Sequence, residues 1–260
     1  MESIDVVVVT ALPHEAAPLL GEISTDPIDV GALPDTGADT GASTAQGERF
    51  YRGETAAGLS VVVVITGAGR AAAAEGMALL YARFRPQLVI AGGIAGGISP
   101  SVRVGDTVVG EETVCYDEDA TALKMPLGTL RRERSEVTPA TGAVVLRDAA
   151  ARIARRYDGE VHRGRIASGD TLLTRHTLSV LPENRRRLIR GAIAVDMESS
   201  VWVSFAHRGA VPIVLVRFIS DHVIGGERLS FAHACGTAGT IIAELLRSCR
   251  RGPDGAIVMT

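Results

Sequence analysis

The stretch IDVVVVT at residues 4 to 10 carries apolar, β-branched side chains on both faces of an extended chain instead of alternating them with polar ones. That is the pattern of a strand buried between two helical layers. Four further runs read the same way: SVVVVIT at 60 to 66, QLVIAGG at 87 to 93, DTVVGEETV at 106 to 114 and PIVLVRFIS at 212 to 220. Between them lie alanine-rich segments of helical composition, at about 70 to 84, 139 to 157, 197 to 208 and 230 to 250. Strand alternating with helix predicts one α/β domain built around a central sheet.

The length of 260 residues, against about 150 for a typical domain, suits one large domain or two small ones, and the strand pattern selects the first. A net charge of -3 supplies no positive field for nucleic acid or an acidic membrane, so neither is expected as a partner. Arginine clusters at 185 to 190 and 152 to 156 read as solvated helix faces. The odd cysteine count (Cys115, Cys235, Cys249) has no C-x-x-C spacing, which indicates neither a disulfide framework nor a zinc knuckle and fits a reducing cytoplasm. The opening MESID lacks a basic leader, and no apolar run approaches the ~18 residues that span a bilayer. The Gly, Thr, Asp and Ala-rich stretch at 21 to 48 reads as a loop insertion, and 251 to 260 as a flexible tail.

Two glycine-rich turns follow buried strands. TGAGRAAAAEG at 66 to 76 lacks the acid that a dinucleotide fingerprint needs about 20 residues later, so it reads as a tight strand-to-helix turn. AGGIAGGISP at 91 to 100 would let backbone approach a small ligand. Three acids stand beside strand ends, where open α/β sheets bind ligands: Glu15 in ALPHEAAPLL, Glu198 in VDMESS and Asp221 in VRFISDH. Taken singly, each also fits a helix N-terminal charge. His14 and His222 adjoin two of these acids without metal-ligand spacing.

In family order, ALPHE, TGAGRAAAA, GGIAGGISPSVRVGDTVVGEE, YDEDATA, RGRIASGDTLL, AIAVDMESS and VPIVLVRFISD followed by RLSF resemble the nucleoside phosphorylase and nucleosidase superfamily. Within it the chain is most similar to the 5'-methylthioadenosine/S-adenosylhomocysteine nucleosidases. The resemblance implies an α/β fold with a mixed central sheet flanked by helices, hydrolysis of a purine nucleoside, no cofactor or metal, and a homodimer whose neighbouring subunit helps close the pocket. It assigns Glu15 to the attacking water and Asp221 to the purine N7. It assigns Glu198 to the ribose hydroxyls, Met197 to packing on the sugar, and Leu172 and Leu173 to the flanks of the base.

The chemistry suits these residue types. Breaking an N-ribosidic bond puts positive charge on the sugar and negative charge on the departing base, so an ionised carboxylate and a protonated one each have work there. Phosphorolysis is the rival. The phosphorylases of the superfamily carry an arginine and a serine on a loop where this chain has Ala91 and Ile94, and Ile94 also departs from the serine usual in the nucleosidases. Arg70 and Arg217 remain as candidate anion contacts, with Arg217 equally suited to partner an acid. Other adenosyl-type or futalosine-like substrates, and a catalytically weak nucleoside-binding module, stay open as alternatives.

Overall fold

Val6 and Val8 pack into one buried apolar cluster, Val7 and Val9 into another, and none of the four is exposed to solvent. A strand covered on both faces has no need of polar alternation, which is why its sequence runs apolar throughout. The computed structural model describes residues 1–21, 23–28, 49–119, 121–125, 135–136 and 143–260.

In chain order they form β1 (Glu2–Thr10), α1 (Pro13–Leu20), β2 (Ser24–Pro27), β3 (Phe50–Glu54), β4 (Ser60–Ile65), α2 (Arg70–Arg83), β5 (Phe84–Gly97) and β6 (Thr107–Cys115). A 3-10 turn at Thr121–Leu123, β7 (Ser135–Glu136), α3 (Ala143–Ala154), β8 (Val161–Ser168), α4 (Arg175–Val180) and α5 (Glu183–Ile189) follow. The chain continues as β9 (Ala192–Asp196), α6 (Ser199–Arg208), β10 (Ile213–His222), α7 (Phe231–Arg247), β11 (Cys249–Arg251) and β12 (Ile257–Met259).

The main sheet is mixed, as expected, with strand order β10-β6-β8-β9-β5-β1-β4-β3-β2. Strand β5 pairs in parallel with both β1 and β10, while β10 meets β6, and β5 meets β9, in antiparallel fashion. Because β10 also pairs with β5, the strands β5, β10, β6, β8 and β9 close on themselves. Helices α1, α3 and α7 cover one face through Leu19, Ile153 and Ile242, and α2 and α6 cover the other through Met77, Leu80 and Trp202. The carboxyl ends of β1, β8, β9 and β10 carry Thr10, Ser168, Asp196 and Asp221.

Two expectations are corrected. Residues 251 to 260 are not a loose tail. Strands β11 and β12 form a hairpin whose Ile257 and Met259 are buried in the cluster under α3 and α7. Part of the stretch at 21 to 48 is not loop, since Ser24–Pro27 pairs with β3 at the sheet edge, while 29 to 48 lie outside the described residues. Both were hidden because each strand is four residues or fewer and its partner is distant or equally short.

The hairpin is tied down at Asp5. This carboxylate accepts from the Ser60 amide at 2.9 Å, the Ser60 hydroxyl at 3.1 Å, Gln87 Nε2 at 3.0 Å and Arg251 Nη2 at 2.7 Å, joining β1, β4, β5 and β11. Burial works against its charge, yet the Ser60 and Arg251 contacts outweigh it and hold the carboxyl below the usual aspartate range. A lowered folded-state pKa contributes stability that is present above about pH 3.9, the unfolded value, and is lost as pH falls through the folded one. Asp5→Asn should therefore cost about 2 kcal/mol near neutrality. Urea titrations of both proteins should show that deficit shrinking below about pH 4.

Candidate active site

Pro13 opens α1 at its first position, where a missing N–H costs nothing, and Glu15 follows in the first turn. From there the Glu15 side chain folds back over its own helix start. Its Oε2 accepts from the amides of Ala11 at 3.0 Å and Leu12 at 2.9 Å, and Oε1 accepts from the Ile94 amide of β5 at 2.8 Å. The carboxylate lies so close to β5 that a Cβ on Gly93 would collide with Oε1 and stand 2.8 Å from Arg217 Nη1. The glycines of AGGIAGG thus serve close approach of an acid side chain to backbone.

Arg217, near the middle of β10, is fully buried. Its Nη2 lies 2.7 Å from Asp196 Oδ2 and 3.4 Å from Glu198 Oε2. Its Nε and Nη2 donate to Ser199 Oγ at 3.1 and 3.0 Å, and Nη1 donates to the Ile94 carbonyl at 3.3 Å. The guanidinium carbon stands 4.6 Å from the centroid of the Trp202 ring, a cation–π contact in a dry environment. Asp196 also accepts from Ser168 Oγ at 2.6 Å and from the Ser199 hydroxyl. Glu198 Oε1 accepts from the Gly69 amide at 2.8 Å, so the turn at 66 to 70 contributes a backbone donor.

One cation therefore faces three carboxylates. Burial pushes the Glu15 carboxyl up, against the opposing pull of Arg217 and the three amides. Burial likewise raises Glu198, again against Arg217, with Asp196 and Glu15 adding like-charge repulsion.

Beside this network lies a small cleft lined by Thr171, Leu172, Leu173, Met197, Asp196 and Asp221, with Gly96, Tyr116 and Val195 completing its wall. Leu173 is buried, whereas Leu172 is 70% exposed at the rim. A Cβ on Gly96 would stand 3.4 Å from Asp221 Oδ2 and 3.2 Å from Val223, so the glycine leaves room beside that acid. Asp221 accepts from the Ser220 hydroxyl at 2.7 Å.

The sequence candidates thus fall into two groups. Glu15, Glu198, Arg217 and the backbone of Ile94 share the buried network, and Asp221, Met197, Leu172 and Leu173 line the cleft. Asp196 belongs to both and is absent from the sequence reading, although it is an acid at a strand end inside DMES and met the criterion applied to the other three. Ser168, Ser199 and the Gly69 amide were also missed, because single serines and amides carry no sequence signal. Ile94 enters through backbone, its half-buried side chain packing toward the core. Arg70 is not an open anion contact, since Asp117, Glu118 and Asp170 surround it. His222 Nε2 lies 3.1 Å from the Ser99 carbonyl, and the His14 ring stands edge-on to Phe231.

The sequence model of the phosphorylase superfamily matches residues 5–249. A 5'-methylthioadenosine/S-adenosylhomocysteine nucleosidase of Geobacillus kaustophilus is 35% identical over 202 residues, which cover 74% of this chain and 79% of that protein. The Neisseria meningitidis nucleosidase of the same name, solved in complex with methylthio-immucillin-A, superposes with a TM-score of 0.73 at 25% identity, covering 95% of this chain and all of that one. Futalosine hydrolase of Helicobacter pylori shares the fold, with a TM-score of 0.69 at 20% identity over 94% of this chain and 97% of that one.

Replacing Arg217 by methionine keeps the stem but leaves Asp196, Glu198 and Glu15 without a buried counter-charge. Uncompensated buried charge costs about 3–5 kcal/mol. Denaturant unfolding of Arg217→Met should show a loss of that size at pH 7, partly recovered at pH 5, where the raised Glu15 and Glu198 carboxyls take up protons.

Proposed function

The chain belongs to the phosphorylase superfamily, and on that premise we propose that it is a purine nucleosidase. It cleaves the N-ribosidic bond of 5'-methylthioadenosine or S-adenosylhomocysteine with water and releases adenine. The observation that carries water over phosphate is the commitment of both candidate arginines. Arg217 is spent on Asp196, Glu198 and Ser199, and Arg70 on three other acids, so neither presents a free fork to a phosphate.

In this reading the purine lies in the cleft between Leu173 and Met197, with Asp221 at its N7 edge. As the C1'–N9 bond breaks, the electron pair passes to the purine and Asp221 supplies a proton to N7. The ribosyl cation that forms is stabilised by the surrounding carboxylates, with Glu198 holding the ribose hydroxyls. Glu15 takes a proton from the attacking water, whose oxygen closes on C1'. The raised Glu15 pKa suits a base that must accept a proton. The enzyme acts as a homodimer in a reducing cytoplasm. The exposed Leu172 at the cleft rim supports a neighbouring subunit there, and three free, buried cysteines support the compartment.

The test is chromatography of products from purified protein and 5'-methylthioadenosine, with and without phosphate. Free adenine formed equally in both is the expected result. Strict phosphate dependence with a ribose 1-phosphate product would make it a phosphorylase, and saturable binding without turnover a sensing module.

Glu15→Gln preserves size but removes the base. It should keep nucleoside affinity and lose turnover by a factor on the order of 10² or more. Because only ionised Glu15 accepts the proton, wild-type kcat should fall as pH drops, with its midpoint above the ~4.3 of an ordinary glutamate. Stopped-flow or steady-state rates across pH 4 to 9 measure both.

Asp221→Asn keeps a donor but has no acidic proton to give. Adenine release should slow severely, while a nitrophenyl riboside, whose leaving group needs no protonation, should be largely spared. Equal slowing of both would make Asp221 a positioning residue.

A further inference from the structure

Three loops at the mouth of the cleft meet on one side chain. Arg70 is the first residue of α2, and its backbone amide donates to Asp170 Oδ1 at 2.9 Å while its Nε donates to Oδ2 at 3.1 Å. The same guanidinium reaches the loop after β6, where Nη1 donates to Asp117 Oδ1 at 2.9 Å and Glu118 Oε1 at 3.2 Å. Asp117 in turn accepts from the Asp170 amide at 2.6 Å and the Cys115 thiol at 3.1 Å. The two loops touch again where the Tyr116 hydroxyl donates to the Thr171 carbonyl, and a Cβ on Gly169 would stand 2.5 Å from the Tyr116 ring.

Three carboxylates gathered at one place repel unless a cation stands between them, and Arg70 is that cation. A guanidinium suits the task because it offers Nε to Asp170 and Nη1 to Asp117 and Glu118, two separated donors that a point-charge ammonium cannot present at once. Its side chain is 24% exposed, so these contacts are partly shielded from solvent. Asp170 is followed directly by Thr171, Leu172 and Leu173, the wall of the cleft. Leu172 is 70% exposed, so little packing of its own holds that part of the segment in place.

We propose that Arg70 is a positioning residue, whose guanidinium sets where residues 171 to 173 stand and thereby sets affinity for the purine end of the nucleoside. It does not set the rate of bond cleavage. The Gly69 amide that serves Glu198 sits at the N-cap of α2, and Met77 and Leu80 anchor that helix in the core. Glu15 and Arg217 touch none of the Arg70 partners.

Two variants test this, Arg70→Met, which removes the charge, and Arg70→Lys, which keeps the charge but not the two separated donors. Hydrogen exchange needs no substrate and so judges the clamp apart from the nucleosidase reading. In both variants the amides of 115 to 118 and 168 to 173 should exchange at least about tenfold faster, with β4 unchanged. The kinetic arm rests on that reading. KM for 5'-methylthioadenosine should rise about tenfold or more in Arg70→Met, and less in Arg70→Lys, with kcat within about threefold of wild type. Adding Asp117→Asn and Asp170→Asn to Arg70→Met removes the repulsion and should bring KM part of the way back.

Unaltered exchange in the two loops overturns the proposal, as does faster exchange spread equally through β4, which would mark a general loss of fold. A fall in kcat at constant KM overturns it too. If wild type releases no adenine, the nucleosidase reading fails, and exchange alone decides the role of Arg70.

Discussion

Arg217 is the constraint on which the site depends. A guanidinium with no solvent exposure is tolerable only when carboxylates and hydrogen-bond acceptors surround it, and Asp196, Glu198, Ser199 and the Ile94 carbonyl do so. Those partners sit on the β9–α6 junction and on β5, so one charge on β10 joins two other chain segments. The fully buried Trp202 ring stands against the guanidinium in a cation–π contact. Such an arrangement is weak evidence for stability as such, since a well-packed apolar substitute would often serve as well. Its consequence lies in what it does to the carboxylates.

The same geometry separates the acids by environment. Glu15 and Glu198 lie in the buried network, where desolvation works against their charge and Arg217 works for it. Asp221 lies apart, on the cleft wall beside Gly96. Backbone does much of the holding. Three amides fix Glu15 and one fixes Glu198, and backbone donors do not lose rotamer freedom when they bind.

Glycine makes that approach feasible. At Gly93 a side chain would occupy the place of the Glu15 carboxylate, and at Gly92 it would press into Ile242 of α7. The run AGGIAGG is thus shaped on one side by an acid and on the other by a covering helix. Read as sequence it was a glycine-rich turn after a strand, whereas the structure carries β5 through it to Gly97.

Much of this was legible in the sequence alone. The five apolar runs and four helical segments correspond to β1, β4, β5, β6 and β10 and to α2, α3, α6 and α7, because burial on both faces writes itself into composition. Strand β8, VHRGRIAS, was not legible. Its first half is only partly buried and carries polar side chains, so it mimics a surface segment. Glu15, Glu198 and Asp221 were legible as acids at strand ends, whereas Asp196, Ser168 and Ser199 acquire meaning only from the guanidinium they surround. The sequence by itself determined the layered α/β class and the residue types available for chemistry, since both follow from local pattern. Only the tertiary structure decided that Arg217 is a buried counter-ion, that Arg70 is enclosed by acids, and that the last ten residues form a packed hairpin. Each of those depends on partners brought together from distant parts of the chain, and charge pairing between such partners leaves no periodic trace in the sequence.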